Sequence, residues 1–178
     1  VENISKSVAI ELLFEEMPTR PTANAIFREA RKIFGDINII NRDENDIEFS
    51  VDKFVAYNED NTTSPVVLAM GNITDFDDKV AVSEFERTQI WNVVNSEELL
   101  SKYKYAVKIW DVNAQRQIPK ERAIMLVDWL NVALKLYPKC QAIWIKSAGK
   151  LQLAQSIKNL KETGIVKYLY SMVNIRFF

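Results

Sequence analysis

The stretch "AIWIKSAGKLQLAQSIKNL", residues 142–160, runs from apolar residues through a short Gly-Lys turn into an amphipathic segment. Read as strand, turn and helix, it has the order of parts of a phosphate cradle, in which backbone N–H groups at a helix N-terminus and a nearby ammonium face an anion. The spacing departs from a nucleotide loop. A Walker A loop carries a glycine five positions before Gly-Lys and Ser or Thr after it; here Trp144 and Leu151 stand there. One glycine also falls short of the three in a dinucleotide fingerprint. Two readings follow. Ser147, Gly149 and Lys150 form a motif-free anion site, or Ser147 caps the helix while Gly149 relieves the turn. The second is preferred, and it predicts that Lys150→Ala changes stability by no more than about 0.5 kcal/mol, as an ordinary surface substitution does.

The second candidate is Asp75-Phe76-Asp77-Asp78, after an apolar run that ends at Gly71. Three carboxylates this close could hold a hard cation, but the twelve-residue calcium-loop pattern is absent. We expect no metal and no cofactor, and instead assign Asp75, Asp77 and Asp78 to a partner-binding patch. The catalytic inventory is thin. The chain has no histidine and one cysteine, so a Cys-His nucleophile and the commonest general base near neutral pH are both excluded. Cys140 reads as a small core residue. Glu84, Glu86 and Asp111 are the carboxylates that suggest acid–base work, and each reads more simply as a surface charge. Trp91, Trp110, Trp129 and Trp144 sit in apolar contexts and read as core.

The elements that must position these residues follow from periodicity. "SVAIELLF" reads as a strand. Pro21 opens a helix whose apolar face is Ala23, Ile26, Phe27, Ala30, Ile33 and Phe34, and Gly35 closes it. "DINII", "IEFSVDKFVAYN" and "PVVLAMGNI" read as three further strands separated by polar turns. Residues 83–102 read as a broken helix with Ser83 and Glu86 in a capping box. "YKYAVKIWDV" and "CQAIWIK" are strands. Between them lies a long helix from Pro119 to Tyr137, striped by Ala123, Leu126, Val127, Leu130, Leu134 and Tyr137. "KLQLAQSIKNL" reads as a helix and "VKYLYSMVNIRFF" as a final strand, with residues 166–177 paired inside the sheet.

The chain therefore reads as a single α+β domain over 1–178, with two β-α-β halves at 7–74 and 83–178. The expected architecture is a two-layer sandwich: a mixed, mostly antiparallel sheet with helices packed on one face, its halves of ferredoxin-like type. Length fits one domain burying roughly 70% of its unfolded surface. Net charge is −1 from 23 basic and 24 acidic residues, which argues against nucleic acid or anionic membrane as partner. No signal peptide or membrane-spanning run is visible, and a lone cysteine fits a reducing compartment, so we expect a cytoplasmic protein.

Taken in order, "SPVVLAMGNITDFD", "ERTQIW", "ERAIMLVDWL", "AIWIKSAGKL" and "VNIRFF" resemble a mainly bacterial domain-of-unknown-function family, DUF four-two-six-one. The likeness covers nearly the whole chain from about residue 8. It implies that Ser147, Gly149 and Lys150 belong to the family's fold, and it carries no catalytic motif. Members of that family run on beyond the "NIRFF" element into a segment with histidines and acidic residues. Three functional readings compete. The favoured one is a non-enzymatic protein-binding module whose partner is a toxin or a complex component, an immunity-type role being its sharpest form. The others are an anion- or ligand-binding domain or enzyme using the SAGK or acidic turn, and a structural half of a longer protein.

Overall fold

The structure, a computed structural model, describes residues 7–43, 45–90 and 93–174. The expectations placed on Trp91 and on residues 175–178 lie outside them. Among the described residues seven strands form one sheet: β1 (Ala9–Phe14), β2 (Ile37–Arg42), β3 (Ile47–Tyr57), β4 (Thr63–Asp75), β5 (Tyr105–Val112), β6 (Ala142–Ile145) and β7 (Lys150–Leu153), in the order β2-β3-β4-β5-β1-β6-β7. Each pairing is antiparallel. The α-helices among the described residues are α1 (Ala23–Phe34), α2 (Asp78–Ala81), α3 (Glu84–Thr88), α4 (Ser96–Lys102), α5 (Pro119–Leu136), α6 (Ala154–Asn159) and α7 (Gly164–Met172). The result is the expected α+β two-layer sandwich. β1 lies between β5 and β6, so the two halves of the chain interleave in one sheet.

Local chemistry sets the helix ends. Thr22 caps α1 through its Oγ1, which accepts from the Ala25 N–H at 3.2 Å, and Gly35 closes the helix at φ 77°, a conformation that suits a residue without Cβ. Ser83 and Glu86 form the anticipated capping box on α3. Alternation along the strands then divides the molecule. Leu12, Phe49, Leu68, Ile109 and Ile143 point to one face and are buried beneath α1 and α5, which together make the main core. Trp129 of α5 donates its indole N–H to the Ala69 carbonyl at 3.2 Å and meets Phe49 edge-on. The fully buried Asp111 accepts two bonds from Arg122 of α5, at 2.7 and 3.1 Å, and one from the Val8 N–H at 2.6 Å. It pins helix to sheet rather than serving acid–base work.

The opposite face is covered unevenly. Leu13, Ala106, Ala142, Trp144 and Leu151 lie under a lid of short helices that contributes Val82 and Leu100, with Phe76, Ile90 and Tyr103 from the adjoining chain. That second cluster includes no residue of β2, β3 or β4.

Two elements differ from expectation. "KLQL" is not the start of a helix but β7, hairpin-paired to β6 with Ile145 opposite Lys150. Residues 166–172 of the expected final strand belong instead to the helix α7. Tyr168, Ser171 and Met172 face α5 at helical spacing, while Ile165, Val166, Leu169 and Tyr170 point outward. The β-rich composition of this segment was overridden by packing, since strand propensity depends on context.

Candidate functional site

The Ser147-Ala148-Gly149-Lys150 turn joins two strands. Residues Lys146–Ala148 make a 3-10 turn and Gly149 takes φ 57°, the left-handed conformation needed to enter β7. Ser147 is exposed in that turn and caps no helix. Lys150, expected on the surface, is 7% exposed. Its Nζ donates to the Tyr170 carbonyl at 2.6 Å and the Val173 carbonyl at 2.7 Å, so it satisfies the C-terminal end of α7. Burial pushes its pKa down. The proposed anion site thus has its cation committed to two backbone oxygens, and Ser147 and Lys150 point to different tasks.

The acidic turn is similarly occupied. Asp77 caps α2, accepting from the Lys79 N–H at 3.0 Å. Asp78 holds Arg87 of α3 at 2.8 Å, and Arg87 also donates to the Asp78 carbonyl at 2.6 Å. Asp75 ends β4 opposite Tyr105. The three carboxylates therefore do not converge; two of them assemble the lid. Among the described residues there is no group of three metal-ligating side chains of the His, Cys, Asp or Glu type. Cys140 is buried, and burial pushes its thiol up to about 12, which fits the small core residue read from the sequence.

What the structure does assemble is a groove of about 330 Å³ on the uncovered part of the second face. Its floor is β4, β5 and β1, and its far wall is the β2–β3 turn. Antiparallel register places Lys108 between Glu11 on β1 and the β4 backbone, and Trp110 beside Ala69. A register shift between Met70 and Ile73 bends β4 here, as bulges do where a strand must re-aim its side chains. Gly71 sits in that bulge. A Cβ on it would stand 3.4 Å from Cζ3 of Trp110 and 3.5 Å from Oδ1 of Asp46, so its missing side chain keeps a notch open between an aromatic ring and a carboxylate. Lys108 Nζ lies 5.4 Å from the Trp110 ring centre.

The electrostatics of the groove are unbalanced. Burial raises the Glu11 pKa, opposed by Lys108 and Lys146 and aided by Glu86. Glu11 faces Lys108 across the strands, yet neither the Glu11 nor the Asp46 carboxylate accepts a hydrogen bond or joins an ion pair among the described residues. Glu48, in register with Ala69 and hence on the same face, is likewise unpaired there.

The sequence reading missed this site by placing Trp110 in the core. The signal was present: in "AVKIWDV" the period-two pattern sets Trp110 on the side of Lys108 and Asp111 on the side of Ile109. Trp129 and Trp144, by contrast, are fully buried. An open antiparallel sheet with helices on one side, a partial lid on the other and an acidic, aromatic groove beside that lid is the class of protein the structure defines. Compared with family models, curated proteins and solved structures, the chain finds no match.

Proposed function

We propose that this protein is a non-enzymatic protein-binding module that docks through the uncovered half of its second sheet face. The observation that carries the reading is the groove around Trp110, where a half-exposed indole is ringed by small floor residues and by carboxylates that make no hydrogen bond or close ion pair among the described residues. Aromatic anchors surrounded by polar groups are the usual centres of binding energy at protein interfaces. A partner would bring the missing countercharges. The module would act in the cytoplasm, with a toxin or another complex component as partner, and membership of DUF four-two-six-one belongs to the same proposal. No described helix is long and apolar enough to cross a membrane.

The test compares wild type with Trp110→Ser and Glu48→Lys as baits in extract of the source cell, followed by calorimetry with the purified partner. The reading expects a partner held by wild type and lost by both variants at unchanged melting temperature. Equal capture by all three would defeat it. An immunity role adds one requirement: the protein must restore growth when co-expressed with that partner, and the two variants must not.

A further inference from the structure

We infer that the Gly71 notch seats one arginine side chain of the protein partner, its guanidinium stacked on Trp110 and paired with Glu11 and Asp46. The inference rests on the binding-module reading and specifies what that surface recognises. Three features converge on this chemistry. The Trp110 ring already has a cation near its face, since Lys108 Nζ stands 5.4 Å from the ring centre; aromatic faces attract cations through their negative quadrupole. Two carboxylates border the same groove without an ion pair or hydrogen bond of their own among the described residues. The notch itself is narrow, bounded by Cζ3 of Trp110 and Oδ1 of Asp46 at 3.4 and 3.5 Å from the position a Gly71 Cβ would take.

Arginine fits these constraints better than lysine. Its guanidinium is planar, weakly hydrated, able to stack on an indole and to offer several N–H groups to carboxylates at once. Lys108 is the internal competitor. It is exposed, so its flexible stem can carry the ammonium into solvent when a guanidinium takes the ring. Around the groove, register and turn placement supply Glu11, Asp46 and Glu48 against Lys108 and Lys146. A basic partner surface complements that balance, and complementary charge steers encounter as well as holding the complex.

The experiment uses the full chain labelled with 15N and the blocked tripeptide acetyl-Gly-Arg-Gly-amide at millimolar concentration, with the Lys and Gln tripeptides as controls. Binding should move the Gly71 and Asn72 amide signals and the Trp110 indole signal, most with Arg, less with Lys and not with Gln. Glu11→Gln should weaken Arg binding by about tenfold, the equivalent of one charge-assisted contact. Lys108→Met should strengthen it, and Gly71→Val should abolish it by filling the notch. If Gly71→Val fails to fold, Glu11→Gln, which alters charge and not volume, decides the matter. Arg and Gln peptides acting alike, shifts mapping away from the groove, or an unaffected Glu11→Gln would each overturn the inference. The two proposals fail separately. A partner lost with Trp110→Ser alongside a silent Arg peptide removes the arginine seat and leaves the module. A partner indifferent to Trp110→Ser removes the module whatever the peptide does.

Discussion

At Lys150 an ammonium group has been drawn under the sheet edge to hold two carbonyls at the end of a helix. Helix C-termini leave backbone oxygens without partners, and a cation there meets both the hydrogen-bonding need and the helix dipole. Lys150→Ala removes both bonds and leaves the Tyr170 and Val173 oxygens to find other donors. Unfolding by urea should show a loss of about 1–3 kcal/mol, the range for hydrogen bonds to a charged group. A change under about 0.5 kcal/mol would mean that the residue behaves as the surface lysine its sequence context suggested. Nothing in "KSAGKLQL" announces this role, because the carbonyls Lys150 serves lie 20 and 23 residues further on. Glu29 offers a second residue-scale test. Lys135 and Lys32 contact its carboxylate at 2.7 and 2.6 Å, and their hydrogen bonds hold its pKa at about 2, below the ordinary 4.5. The folded carboxyl binds fewer protons than the unfolded one between these values. The stability it contributes is therefore complete above pH 4.5 and lost as pH falls towards about 2. In Glu29→Gln, urea midpoints measured through this window should fall less steeply than in wild type. Parallel acid limbs would show that the lysine contacts are not kept in solution.

Among the elements, α5 was the most legible and α7 the least. The stripe Ala123, Leu126, Val127, Leu130, Leu134 and Tyr137 is buried throughout, because Pro119 starts the helix and a three-to-four-residue apolar period must face a core. The sequence understated its burial: Met125, Trp129, Val132 and Ala133 are also inside, since α1 and α7 close the remaining sides. Leu130 is 1% exposed within the main core. Leu130→Ala should cost about 2–5 kcal/mol in denaturant unfolding, the removed side chain leaving a cavity that tight neighbours cannot fill. A loss below about 0.5 kcal/mol would place the stripe in water. For α7 the periodic signal was masked. Its outward residues Ile165, Val166, Leu169 and Tyr170 are as apolar as its inward ones, so no polar face marks the helix, and its β-branched and aromatic composition imitates a strand. The strands of the main sheet, by contrast, show their faces through alternation, and the groove would have been legible from the same rule applied to β5.

The whole molecule is a sheet with unequal cover, and that inequality should appear in its motions. On the first face, α1 and α5 bring a continuous core from Phe34 at one side to Ile157 at the other. The second face has a lid of short helices of 4, 5 and 7 residues, held by a cluster of ten buried side chains among the described residues. Helices this short have no independent stability in water, so the lid persists through Val82 and Leu100 beneath it and the Asp78–Arg87 pair across it. The lid and the groove share strands β1 and β5: Leu13 and Ala106 lie in the lid cluster, while Glu11 and Lys108 line the groove. Native-state hydrogen exchange should then divide the protein into two classes. Amides of β1 and β5, which are hydrogen-bonded to a strand on both sides and packed on one face against the main core, should exchange only through global unfolding. Amides of α2, α3 and α4 should exchange through a local opening of lower free energy, by a margin of at least about 2 kcal/mol. Arg87→Ala should lower the lid's opening free energy further and leave the β1 and β5 amides at the global value reduced only by the variant's own loss. If lid and central strands instead exchange together and shift together in that variant, the two faces form one cooperative unit. The uncovered sheet beside the lid would then be a fixed surface, with no mobile neighbour to widen it for a partner.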